Sequence, residues 1–166
     1  MTTLKSLFLK YGINSKTNFD IYDICNDLKL ECFICMGDEI RMRDEIAEAM
    51  SNEPIECNSY IFNYQTTSEY GSHWCCYAGP TDRCFSNNLY STEGGGPTGL
   101  YFDSFGIKPI KELESRTLKY NDIQIQPFET EICGILSIYF LYLVTTKISF
   151  EDIIEKMKKE VLKCLQ

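Results

Sequence analysis

The chain predicts an α+β fold: a central mixed sheet built from its middle part, packed against a buried helix near the C-terminus, with further helices flanking it. Three observations carry that prediction. Strand-like segments rich in aromatic and β-branched residues are confined to the middle, whereas helical periodicity dominates both ends. The run from Cys133 to Val144 is apolar on every side, as a helix enclosed by other elements must be. Finally, 166 residues with 44% hydrophobic and 24% charged composition suit a single domain over residues 1–166, burying roughly two thirds of its unfolded surface.

Leu4 to Tyr11 has helical spacing and ends at Gly12; Phe19, Ile21, Tyr22, Ile24, Cys25 and Leu28 recur at three- and four-residue intervals and give a second helix. Glu31 to Met36 is a short apolar strand stopped by Gly37-Asp38. Ile40 to Met50, rich in strong helix formers, is the next helix and breaks at Asn52-Glu53-Pro54. From Cys57 to Gln65 and from Ser72 to Ala78, aromatic and β-prone residues alternate with polar ones. Leu100-Tyr101-Phe102 repeats the pattern, giving three strands. Between them, Gly79 to Gly99 carries Pro80, Asn87-Asn88, Gly94-Gly95-Gly96 and Pro97, a long turn-rich excursion with room for a hairpin at Arg83 to Leu89. Pro109 to Arg116 reads as a short helix with proline in its first turn, and Asp122 to Gln126 alternates as another strand. After the enclosed helix, Ser149 is an N-cap with Asp152 three residues on. Ile153, Met157, Val161 and Leu165, flanked by Ile154 and Leu162, form the apolar stripe of the last helix.

Composition excludes several classes of function. A formal net charge of −8 disfavours direct nucleic-acid binding, which draws on Lys and Arg to neutralise phosphates. The cluster Lys156, Lys158, Lys159 and Lys163 shares its helix with Glu151, Asp152, Glu155 and Glu160 and reads as a solvated face. The apolar run is too short to span a bilayer, and the N-terminal residues lack a signal-peptide stretch, so no membrane association is expected. Nine cysteines form an odd set without an export signal, which points to reduced thiols in an intracellular compartment. Cys32-Phe33-Ile34-Cys35 has zinc-ligand spacing, but no second such pair completes a tetrahedral site, so neither metal nor cofactor is expected.

Thiol catalysis needs a nucleophile, a base within reach, a group orienting that base, and donors aimed at the developing oxyanion. Cys133 stands at the predicted start of the enclosed helix, where free backbone amides and the helix dipole favour negative charge. His73 is the sole histidine and therefore the sole imidazole base. Trp74 follows it and, by strand alternation, points to the opposite face. Asp103 ends the next strand; if that strand pairs beside Ser72 to Ala78, its carboxylate reaches the imidazole and fixes its tautomer.

His73-Trp74, the segment Tyr101-Phe102-Asp103-Ser104-Phe105-Gly106, Gln126 and Cys133-Gly134 occur in an order and spacing that resemble the adenovirus-type maturation cysteine proteases, together with virophage and polinton relatives and, more distantly, proteases acting on ubiquitin-like proteins. The resemblance runs from about Asn63 through Leu143, with a fainter echo in Phe33 to Ile40. It implies a papain-like, adenain-like fold and a cysteine endopeptidase that processes capsid proteins in the virion and in the host cytoplasm or viral factory. It further implies that Cys133 attacks, His73 is base and acid, Asp103 orients His73, and Gln126 with the Cys133 amide forms the oxyanion hole. Trp74 and Gly134 are implied to border the substrate. Gln124 rivals Gln126, because residues two apart on a strand share a face; spacing to the cysteine favours Gln126. The DNA cofactor of the adenoviral enzymes is not carried over, because this acidic chain shows no basic surface for it. An isopeptidase acting on ubiquitin-like modifiers and a non-catalytic interaction module are the alternatives.

Overall fold

The computed structural model describes residues 2–50, 58–68, 73–80 and 97–166. A mixed five-stranded sheet runs in the order β1 (Phe33–Met36), β2 (Tyr60–Asn63), β3 (Trp74–Ala78), β4 (Gly99–Asp103) and β5 (Thr117–Tyr120). Its two outer pairings are parallel and its two inner ones antiparallel. Six α-helices accompany it among the described residues: α1 (Leu4–Tyr11), α2 (Asn18–Leu28), α3 (Ile40–Met50), α4 (Lys111–Glu114), α5 (Cys133–Thr145) and α6 (Phe150–Cys164). The α+β class and the enclosed helix follow the sequence reading.

Helix starts are set by local side chains. Thr3 and Thr17 accept from the backbone N–H groups of Ser6 and Asp20, which bond back to the cap, and Ser149 accepts from Asp152 at the head of α6. On one face of the sheet, Ile61, Trp74, Cys76, Leu100 and Phe102 pack with α1, α2, α5 and α6. On the other, Cys35, Tyr60, Phe62, Cys75, Tyr77 and Tyr101 pack with Ile40 of α3 and Leu113 of α4. Covered on both sides, β2, β3 and β4 are buried at every position. The alternation expected of them is therefore not one of buried and exposed faces. Their polar atoms are carried by tyrosines, cysteines, Asn63 and Asp103, several of which find internal partners.

Three expectations are corrected. Residues 122–126 are not a strand: the fifth strand is Thr117–Tyr120, and Ile125 and Gln126 instead donate both their N–H groups to the Ser104 carbonyl across the end of β4. The short helix covers Lys111–Glu114 only, with Ile110 as its cap and Pro109 outside it, and just beyond its end the Gly99 N–H donates to the Arg116 carbonyl where the β4–β5 pairing begins. Leu165 lies beyond α6, and both it and Leu162 are exposed, leaving Ile153, Ile154, Met157 and Val161 as the buried stripe. Cys32 and Cys35 fall on opposite sides of the sheet, so they cannot share an ion; Cys32 instead lies 3.8 Å from the Cys25 sulfur. The expected break at Asn52 to Pro54, the hairpin at Arg83 to Leu89 and Cys84 lie outside the described residues. No helix among the described residues is long and apolar enough to cross a membrane.

Candidate active site

The contact between α5 and β3 places the nucleophile candidate. Cys133 is the first residue of α5 and Ser137 lies one turn on, so both side chains share a face of the helix. The Trp74 N–H points at Cys133 Sγ from 3.5 Å, and Ser137 Oγ donates to the Trp74 carbonyl at 3.2 Å. One stripe of α5 thus grips both backbone groups of a single β3 residue. Gly134 permits the approach: a Cβ there would lie 3.1 Å from Lys16 Cβ and 3.4 Å from Trp74 Cδ1. Ile132 caps α5 without a side-chain acceptor, so no cap side chain competes for the N–H groups of its first turn.

The β3–β4 register sets Cys75 opposite Asp103, and His73, two residues before Cys75, immediately precedes β3. His73 Nε2 and Asp103 Oδ2 are 3.0 Å apart, both residues buried. Asp103 is fixed from several sides. Its Oδ1 accepts the Phe105 N–H at 2.7 Å, and the Asn121 amide bonds both the N–H and the carbonyl of its backbone. Gly106, at φ +76°, returns its N–H to the Asp103 carbonyl at 2.9 Å, and a Cβ there would meet the Ile123 carbonyl carbon at 2.7 Å. That tight turn needs glycine for both its dihedral and its clearance. The imidazole lies against Phe105, with ring centroids 4.9 Å apart, and Phe105 stacks on exposed Phe128.

Burial is the largest single influence on the His73 pKa and opposes its charge. The hydrogen bond and charge of Asp103, with the nearby Cys133 sulfur, together outweigh it and raise the pKa to about 9. With Nε2 committed to Asp103, Nδ1 is the ring nitrogen free to exchange a proton; it is buried and has no hydrogen-bond partner among the described residues. The arrangement can hold an imidazolium beside a sulfur, oriented by a carboxylate.

The two glutamines separate. Gln126 is 1% exposed; its Oε1 accepts from Ser104 Oγ at 2.8 Å and its Nε2 donates to the Thr130 carbonyl, which leaves one amide N–H uncommitted among the described residues. Gln124 is exposed and donates to the Gln126 carbonyl at 2.7 Å. Trp74 is buried, its indole N–H bonded to the Lys16 carbonyl at 2.8 Å.

Sequence reasoning missed the groups that hold Asp103. Cys75 Sγ–H donates to the same Oδ2 that takes His73, at 3.1 Å, and burial pushes the Cys75 thiol well up. Strand alternation could have found it, since it stands two residues from His73. Asn121 gave no such signal, because it reaches Asp103 through the parallel β4–β5 pairing. The ligand atoms of His73, Cys75 and Asp103 lie within 4.8 Å of one another and could in principle hold a metal; the two hydrogen bonds account for their closeness without one. No family model, curated protein or solved structure matches the chain.

Proposed function

We propose that this chain is a cysteine endopeptidase with a papain-like fold, and that it processes capsid or other structural proteins during assembly of a virus or mobile element. The observation that carries the reading is the placement of one imidazole. His73 has Nε2 on Asp103 at 3.0 Å and an unbonded Nδ1, and Cys133 at the head of the enclosed helix is among the groups that raise its pKa. The order His73, Asp103, Gln126, Cys133 and its resemblance to the adenovirus-type maturation proteases support the substrate class.

In this reading the Cys133 sulfur, its proton held on His73 Nδ1, attacks the scissile carbonyl carbon and pushes its electron pair onto oxygen. The Cys133 backbone N–H and the uncommitted N–H of Gln126 receive that oxyanion; one such donor accounts for roughly 3–4 kcal/mol in other enzymes. His73 then protonates the departing amine, leaving a thioester. Water attacks the thioester, giving one proton to His73, and the sulfur departs to restore the imidazolium pair. Asp103 keeps Nε2–H directed toward itself throughout. The reading is tested by expressing candidate capsid proteins with wild-type and Cys133→Ala chains and sequencing new termini by mass spectrometry. Termini that appear only with the wild type support it; identical termini with both, or none with either, overturn it.

A further inference from the structure

A cleft of about 550 Å³ lies between the chain entering α2, the end of β1 and the first turns of α3. It adjoins the candidate active site at Trp74. Trp74, whose N–H points at the Cys133 sulfur, forms one wall, and Asn63, its cross-strand partner, another. Lys16, which packs on Gly134, and Arg43 also line it.

The charges in this cleft are unbalanced. The buried Lys16 ammonium donates to Asn14 O and Oδ1, at 2.9 and 2.7 Å, both neutral acceptors. Arg43 presents a buried Nε with no hydrogen-bond partner among the described residues. Among the described residues Glu39 is the only carboxylate on the lining, and its Oε2 is held by the Met36 N–H at 2.8 Å. Asp20, the acid whose charge acts on Lys16, is bonded to the N–H and hydroxyl of Thr17. A guanidinium N–H withdrawn from water and left unpaired is costly, and a carboxylate arriving in the cleft would satisfy it with a charge-assisted bond. In a chain of net charge −8, two cations without a carboxylate bonded to them among the described residues, one of them packed on Gly134 beside the nucleophile, mark a selective site.

We propose that this cleft is a specificity subsite that takes the side-chain carboxylate of a glutamate or aspartate lying within a few residues of the scissile bond of a peptide substrate, with Arg43 as its main contact and Lys16 as a second. The proposal rests on the peptidase reading for its substrate, but its chemistry is tested by binding. The test uses the full chain carrying Cys133→Ala and acetylated six-residue glycine peptide amides in which one Glu occupies each position in turn, with a matching Gln series. Affinity is titrated while the Arg43 Nε–Hε resonance is followed by NMR. At least one Glu peptide is expected to bind roughly tenfold tighter than its Gln twin and to move that resonance. The advantage is expected to vanish in Arg43→Gln and to persist in part in Arg43→Lys, which keeps the charge if the Gln variant folds poorly. Equal binding of Glu and Gln peptides at every position, or a Glu advantage that survives in a folded Arg43→Gln chain, overturns the subsite. Wild-type turnover reports separately: Glu-selective binding without any cleavage overturns the peptidase reading alone, and cleavage without Glu-selective binding overturns the subsite alone.

Discussion

Two thiols flank the same His73–Asp103 pair, and their surroundings differ in a way that assigns them different work. Cys75 lies on β3 with no exposure, gives its S–H to Asp103 Oδ2 at 3.1 Å, and is pushed well up by burial and by that carboxylate. Cys133 is 6% exposed at the start of α5 and receives an N–H, from Trp74, instead of giving a proton to an anion. A sulfur that donates to a carboxylate is held as a thiol, whereas one that faces donors and an imidazole is placed to act as a nucleophile. Closeness to the base therefore does not decide reactivity; the sign of the neighbouring groups does.

The largest expected effect breaks the comparison directly. Cys133→Ala should lower kcat by about 10⁴-fold or more, whereas Cys75→Ala should keep it within about tenfold, because it removes only one of the donors on Asp103. Comparable losses in the two variants, measured on one peptide substrate, would erase the distinction. Asp103→Asn comes next, with a loss of about 10³- to 10⁴-fold, since an amide can present a donor to Nε2 and favour the wrong tautomer. Gln126→Ala should cost about 10²- to 10³-fold in kcat with little change in KM, and Gln124→Ala far less. The reverse ranking would move the oxyanion donor to Gln124.

The pH dependence of stability sharpens the electrostatic side of the comparison. The folded His73 pKa is raised from 6.5 to about 9, so the native state holds a proton that the unfolded chain loses within that window. The stabilisation is complete below about pH 6.5 and is lost as pH rises through about 9, amounting to about 3 kcal/mol. Denaturant unfolding across that range should show this decline in the wild type and a shallower one in Asp103→Asn. Parallel slopes would mean that Asp103 does not hold the imidazolium.

Much of the fold was legible because its signals are local. The Ser149 cap and the all-round apolar run from Cys133 mark elements that the structure reproduces nearly to the residue. Residues 117–126 misled because alternation in Asp122 to Gln126 is a weaker determinant than the pairing available at the β4 edge, which Thr117–Tyr120 occupies. The meeting of His73 with Asp103 was legible from strand order, since an antiparallel neighbour brings the end of one strand to the start of the next. Its support was not: Asn121, Ser104 and the Phe105 ring reach the site through turns and side-chain bonds that no periodicity encodes. Lys16 and Arg43 were invisible for a similar reason, as their significance lies in lacking a carboxylate partner.

The central claim is that Cys133, not its neighbour Cys75, is the activated sulfur. It is tested most directly by timed alkylation of the native chain with iodoacetamide at pH 6.5, with each cysteine quantified by mass spectrometry. The account predicts that Cys133 is modified at least about tenfold faster than Cys75 and the other described thiols, and that His73→Ala removes the advantage. Modification of another cysteine at the same rate, or a Cys133 rate unchanged without His73, would contradict it.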